Sequence, residues 1–530
     1  MAGHSGRVHI RDSFAPISAP QKTQRPSLPK QTTPDQPTES SALSQLAGLK
    51  QCPVGPQLSG AARNLSRQNR ALGESAALAG GGGPAQAATA QIQAQMRQGL
   101  CPYLSQATQN NSAQDWSALN LLRQGLEQGQ TDPVDFLHGL HQHYGPSLQV
   151  GDVLFESRRE VVNAILVGTQ NPVEERTHFT KSSLQKQALG SVYGQHTIFL
   201  ESGEAWQAQR EALLPNFMGQ KVMSESNHQH LQELTRKHLD ALPTGRPIDL
   251  NLKLRALSLD VAISHMFGLN LEQSELESTA DLLQRGGQLA QNRLFGLADQ
   301  EPGLEDRLNE VADRLIASPT PPPTLQTLLA DPHASDRGWL RQQVLTLAML
   351  GHETTANMLT YSVAELVNHP QELAELRAEY AATVGSGQPG LDQTTSLKAT
   401  RNAVKETIRQ HAPNYLLSRE ALHDVQVGDT LIKAGTQVLM SVQDTNRLPD
   451  NDWDPDREGA KMFSFGGGAR VCLGQVLARL EASVVLSQLM TQFDLQPTAG
   501  TSLAPNSDFS SRPADAHYTL HRTNLGPTPA

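Results

Sequence analysis

A chain of 530 residues is long enough for one large domain or several small ones, but its 38% apolar content is low for a chain packed throughout and points to an unfolded part. A net charge of −10 without basic runs interleaved with aromatics argues against nucleic-acid binding. Three scattered cysteines, Cys52, Cys101 and Cys472, exclude a disulfide framework and a cysteine-rich zinc site, and fit a reducing compartment.

In chain order, residues 1–105 come first, rich in Ser, Gln, Pro, Ala and Gly. Such a composition cannot bury enough apolar surface to offset the entropy lost on ordering, so this segment is predicted to be a disordered extension with at most a transient helix at 85–98. Residues 106–530 read as one domain. Helical spacing recurs at 133–143, 159–167, 205–214 and 225–239, and the Pro-rich 318–323 is a loop or an extended polyproline stretch. The longest predicted helix covers 336–368, with apolar positions from Leu340 to Leu366 and a stop at Pro370. At 1.5 Å per residue it is about 50 Å long, enough to cross a domain. A helix at 397–411 closes before Pro413, and alternation predicts strands at 425–427, 430–432 and 436–440. The chain ends in a helix at 475–493 and a strand at 518–521. The fold class is mainly α with minor β. No apolar stretch approaches the ~18 residues that cross a bilayer, and no secretory signal core is present, so a soluble, cytoplasmic protein is expected.

The most informative stretch is Phe465-Gly466-Gly467-Gly468-Ala469-Arg470-Val471-Cys472-Leu473-Gly474, with a helix beginning at Gln475. Glycines let the backbone approach something flat or bulky, and N–H groups at the helix start favour a thiolate. Taken alone, Cys472 also reads as a small buried apolar residue or as a nucleophile awaiting a histidine base. A dinucleotide fingerprint competes less well, because Val471 stands where its third glycine belongs.

The run Phe-Gly-x-Gly-x-Arg-x-Cys-x-Gly resembles the haem-binding loop of the cytochrome P450 family at every defining position. The resemblance extends over roughly residues 115–522 and implies the P450 fold, haem b as cofactor and Cys472 as the iron ligand, with Phe465 beside it. Glu406 and Arg409, 66 residues before Cys472, resemble the family's buried Glu-x-x-Arg pair, which Arg457 of Trp453-Asp454-Pro455-Asp456-Arg457 joins. In similar proteins, residues matching Trp206, Arg210, Arg419 and Arg470 contact the haem carboxylates. Within the long helix, Gly351-His352-Glu353-Thr354-Thr355 resembles the acid–threonine element of P450 oxygenases. Carried over, Thr354 orients dioxygen and its water, and Glu353 relays protons. Leu350 departs from the family's small residue, and the segment between Arg447 and Trp453 is short.

The resemblance implies a haem-thiolate monooxygenase that inserts one atom of O2 into an apolar small molecule. No flavin or iron–sulfur domain fits in the remaining chain, so electrons are expected from a separate ferredoxin or flavodoxin with its reductase. Two other readings compete. One is a non-catalytic haem-binding protein on the same scaffold; the other is an effector whose Ser-, Gln- and Pro-rich leader directs type III secretion. Loops within 190–201 and 268–293 are expected to line the substrate pocket.

Overall fold

The computed structural model describes residues 132–150, 152–169, 177–294, 301–449, 451–459 and 461–523. The predicted extension at 1–105, its helix at 85–98, Cys52 and Cys101 lie outside the described residues.

The longer helices, numbered in chain order, are α1 (Pro133–Tyr144), α2 (Arg159–Val167), α3 (Ser183–Tyr193), α4 (Gly203–Phe217), α5 (Glu225–Asp240) and α6 (Leu250–Phe267). They continue with α7 (Gln273–Leu294), α8 (Leu304–Ile316), α9 (Arg337–Asn368), α10 (Pro370–Thr383), α11 (Lys398–Gln410) and α12 (Gln475–Gln492). Their starts follow capping chemistry. Asp132 accepts from Val134 N ahead of Pro133, Asp249 accepts from Leu252 N, and Asp336 accepts from Gly338 N and Trp339 N. The predicted helices at 133–143, 159–167, 225–239, 336–368 and 397–411 are all present, with ends within a residue or two.

A five-stranded sheet flanks the helices. It is built from β1 (Ser147–Val150), β2 (Val153–Glu156), β3 (Phe179–Thr180), β5 (Leu416–Ala421) and β8 (Gln437–Ser441), in spatial order β1-β2-β8-β5-β3. Only the β2–β8 pairing is parallel; it places Leu154 opposite Val438. A second sheet has the order β4 (Pro247–Asp249), β12 (His517–Arg522), β9 (Phe493–Pro497). Two hairpins, β6 (Val425–Val427) with β7 (Thr430–Ile432) and β10 (Ser502–Ser507) with β11 (Ser511–Asp515), complete the β component. Strands β1–β5 and β9–β11 were not anticipated. Most are only two to six residues long, and β2 is buried on both faces, so it shows no period-two alternation.

Helix α9 is the axis of the core. Its first half, from Trp339 to Met349, packs into one apolar cluster with α4, α6, α7 and α8. Its second half, from Ala356 to Leu366, packs into another with α5, α11 and α12. The polar run at 351–355 falls at the junction of the two clusters. There Gly351 allows α6 to come close: a Cβ would sit 2.9 Å from Met266 Cε and 3.2 Å from Ala262 Cβ.

Candidate functional site

The cysteine loop is shaped by steric demand. Gly466 and Gly468 take positive φ values of 74° and 63°, which L side chains rarely adopt. At Gly468 a Cβ would stand 2.1 Å from Leu166 O, so only glycine lets the loop lie against the end of α2. Cys472 N donates to Phe465 O at 2.9 Å and closes the turn. The loop is braced from behind. Arg409 donates through Nε and Nη2 to both oxygens of Glu406, at 2.8 and 2.6 Å, and through Nη1 to Asn451 Oδ1 at 2.9 Å. Arg457 Nε adds a longer contact to Glu406 at 3.4 Å. Ser464, just before Phe465, donates to Ile408 O at 2.6 Å, and Asn446 Oδ1 receives Phe463 N at 2.9 Å. The residues that pair Glu406 with Arg409 therefore also fix the approach to Cys472.

A cavity of about 370 Å³ opens between this loop and α9. Cys472 is exposed to this cavity, with protein packed densely around it. Burial is the largest influence on the thiol and raises its pKa. The N–H groups of Gly474 and Gln475 and the charges of Arg210 and Arg479 pull the other way without prevailing. The N–H groups at the helix start act in the expected direction, towards the thiolate, but desolvation in the apolar walls outweighs them.

Cations rim the cavity. Arg419 on β5 is 3% exposed, and burial lowers its pKa to about 10. Its hydrogen bonds go to Thr169 Oγ1 at 3.1 Å and Ser418 O at 2.7 Å, neither of them a carboxylate. Arg470 is pushed down to about 8 by burial and by the charges of Arg419 and Arg210. Its guanidinium lies 4.4 Å over the Trp206 ring and donates to Glu201 O. Arg210, one helical turn after Trp206 on α4, donates to Val471 O at 2.9 Å, tying α4 to the cysteine loop. Phe465 lines the cavity too, under the Arg479 guanidinium at 4.8 Å. Trp206, Arg210, Arg419, Phe465, Arg470 and Cys472, widely separated in the chain, are thereby brought to one cavity. Cations gathered with a thiol in a desolvated space suit a flat group that has two carboxylates and a metal centre. The residues present fit a haem.

The two α9 residues separate. Thr354 lines the cavity, its hydroxyl donating to Leu350 O at 3.0 Å. Glu353 does not. It is 0% exposed behind the wall, and neither of its carboxylate oxygens finds a hydrogen-bond donor. Burial and then the charge of Asp508 raise its pKa well above the ordinary carboxylate range, opposed by the charges of Arg512 and Arg255. His352 is buried and lowered to about 4, so it is a neutral ring bonded to Ala348 O. The cavity wall itself has Asp508, from the β10–β11 turn, paired with Arg512 at 2.6 Å, together with Glu481 and Lys181. Sequence reasoning gave none of the three a role: Asp508 and Lys181 come from segments without a motif, and Glu481 lies in the helix that follows the cysteine loop. Of the expected pocket loops, 190–201 contributes Ile198 and Phe199, whereas 268–293 contributes only Ala290 and Gln291 at its end.

A mainly helical fold threaded by one long helix, with a cysteine presented into a cation-rimmed cavity, defines a haem-thiolate class of protein. Comparison with known proteins agrees. The family described as Cytochrome P450 matches residues 325–519. Cytokinin hydroxylase of Arabidopsis thaliana is 26% identical over 366 residues, 61% of this chain and 71% of its own length. Cyclooctat-9-en-7-ol 5-monooxygenase of Streptomyces melanosporofaciens is 24% identical over 60% of this chain and 75% of its own. Cyclooctatin synthase of the same organism is 25% identical over 66% and 81%. The chain thus carries a cytochrome P450 family segment at residues 325–519. It is an oxidoreductase, a P450 monooxygenase, and as such uses haem, dioxygen and a redox partner. Among the described residues no helix is long and apolar enough to cross a membrane.

Proposed function

We propose that residues 106–530 form a P450 domain that monooxygenates an apolar small molecule at the Cys472 cavity. The observation behind this reading is the cavity of about 370 Å³, mostly apolar, into which Cys472 opens beside Arg210, Arg419 and Arg470. Cys472 would hold the haem iron through its sulfur. Arg210, Arg419 and Arg470, with the Trp206 ring, receive the two carboxylates of haem b, and Phe465 shields the sulfur side. Haem, when bound, supplies the redox chemistry by which one oxygen atom enters substrate and the other leaves as water.

The chain's own residues then divide the remaining work. The Thr354 hydroxyl sits at the cavity surface, where it can give or accept a proton. Glu353 keeps a proton in reserve behind that wall, which its burial and its like-charged neighbour Asp508 favour. Aliphatic walls such as Leu347, Leu350 and Met358 exclude water and select an apolar substrate. Electrons come from a separate ferredoxin or flavodoxin and its reductase, and the scarcity of cysteine fits a cytoplasmic setting. The test is the spectrum of the reduced, CO-bound protein for wild type and Cys472→Ser. A strongly red-shifted Soret band that the substitution abolishes is expected. Folded wild type with an unshifted band or no haem would sink the reading.

A further inference from the structure

Among the described residues, Lys181 is the one cation of the cavity wall that the assignments above leave unused. It follows β3, is 7% exposed and lines the cavity. Burying a lysine is costly unless its charge is met. Yet its ammonium donates to a neutral group, Gln185 Oε1, at 3.0 Å, and rests 4.2 Å over the Phe199 ring.

Its position is fixed relative to the arginines. The same Gln185 Oε1 receives Ser418 Oγ at 2.8 Å, and Ser418 O receives Arg419 Nη1 at 2.7 Å, so a short polar chain leads from Lys181 to Arg419. After burial, the charges that act on Lys181 most are those of Arg419 and Arg470. Three cations from three parts of the chain are thus held together against their repulsion. They come from the loop after β3, from β5 and from the cysteine loop.

We infer that Lys181 is a fourth haem-binding cation, its ammonium donating to a haem carboxylate alongside Arg419 and Arg470. The inference rests on the haem reading above. The rival occupant is an anionic group on the substrate. Proximity to the two arginines, rather than to the aliphatic walls, favours the cofactor. Gln185 and Phe199 then act as positioning residues that keep the ammonium aimed into the cavity.

The test uses full-length haem-loaded protein as wild type, Lys181→Met and Lys181→Arg. The rate of haem transfer to excess apomyoglobin is measured, with native haem and with iron protoporphyrin dimethyl ester. For Lys181→Met we expect transfer of native haem to quicken roughly tenfold or more, the worth of one charge-assisted hydrogen bond. Lys181→Arg should recover most of it. With the dimethyl ester, Lys181→Met and wild type should lose the group at the same rate, a convergence that a merely structural lysine would not produce. The reduced-CO band should keep its position in every variant. Equal native-haem rates in wild type and Lys181→Met overturn the inference. If laurate binding then weakens in Lys181→Met while dodecanol binding does not, the lysine serves an anionic substrate. Wild type unable to take haem overturns the haem reading first and this inference with it.

Discussion

Replacing Arg409 by Met removes the donors from the brace behind the cysteine loop while keeping an unbranched side chain in place. Arg409 is 1% exposed and makes two bonds to Glu406, one to Asn451 and a longer one to Asn446 O at 3.3 Å. Without it, Glu406 keeps only Asp454 N at 3.2 Å and Arg457 Nε at 3.4 Å, two long contacts for a carboxylate that is 3% exposed. Breaking a buried pair from one side costs about 3–5 kcal/mol, because the abandoned charge stays buried. Against a total stability of about 5–15 kcal/mol, the variant still folds. Urea titration read by far-UV circular dichroism should therefore lose about 3–5 kcal/mol. The Soret band of haem-loaded protein should vanish at lower urea than the helical signal, since the brace runs through Ile408, Ser464 and Asn446 into the loop. Adding Glu406→Gln to Arg409→Met should restore part of the loss, as coupled partners do. A loss below about 1 kcal/mol, with coincident Soret and helical transitions, would refute the argument. That is the worth of an ordinary solvated pair.

Gly468→Ala should destabilise the protein by about 2 kcal/mol or more and speed haem loss, because a Cβ there meets Leu166 O at a φ of 63°. Gly474→Ala, where a Cβ meets no protein atom within 4 Å, should cost the haem-free protein little in urea titration. Burial raises Glu481 from 4.5 to about 8 even though Ser258 Oγ donates to it at 2.6 Å. The folded chain therefore binds this proton more tightly than the unfolded one. Its stabilising contribution is full below pH 4.5, falls as pH rises towards 8 and is flat above. Glu481→Gln should remove a slope amounting to a few kcal/mol, on the order of 1.4 per pH unit; parallel stability–pH curves for the two proteins would count against this. Leu350 lines the cavity beside Thr354. Leu350→Ala should tighten binding of a bulky phenyl-substituted azole about tenfold, the worth of about two newly buried methylenes. Spectral titration should show unsubstituted imidazole unaffected.

What the sequence revealed is what local sterics and spacing can carry. The cysteine loop was legible because Gly466 and Gly468 must take positive φ and the cysteine must precede a helix, all within ten residues. Helix α9 was legible because capping by Asp336 and the stop at Pro370 bound a long apolar pattern. Trp206 and Arg210 could be paired because α4 puts them one turn apart. The strands failed where they were short, and in β2 burial on both faces erased any alternation. The rest of the site was hidden for a different reason: its members matter through what they face across the fold. A helix pattern places Glu353 and Thr354 side by side but does not say which one the cavity reaches. Successive residues on a helix diverge by about 100°, so only Thr354 reaches it. Glu353 turns instead towards the β10–β11 turn, from which Asp508 enters the cavity wall. Lys181 is hidden in the same way. Nothing in its local sequence marks it, and its meaning appears only when Ser418 on β5 and Lys181 after β3 are found sharing the oxygen of Gln185. Burial and the charges of Arg419 and Arg470 lower the pKa of Lys181, so an anion in the cavity beside it is what would hold it charged. On that ground we assign this side of the cavity to the carboxylates of the cofactor rather than to the substrate.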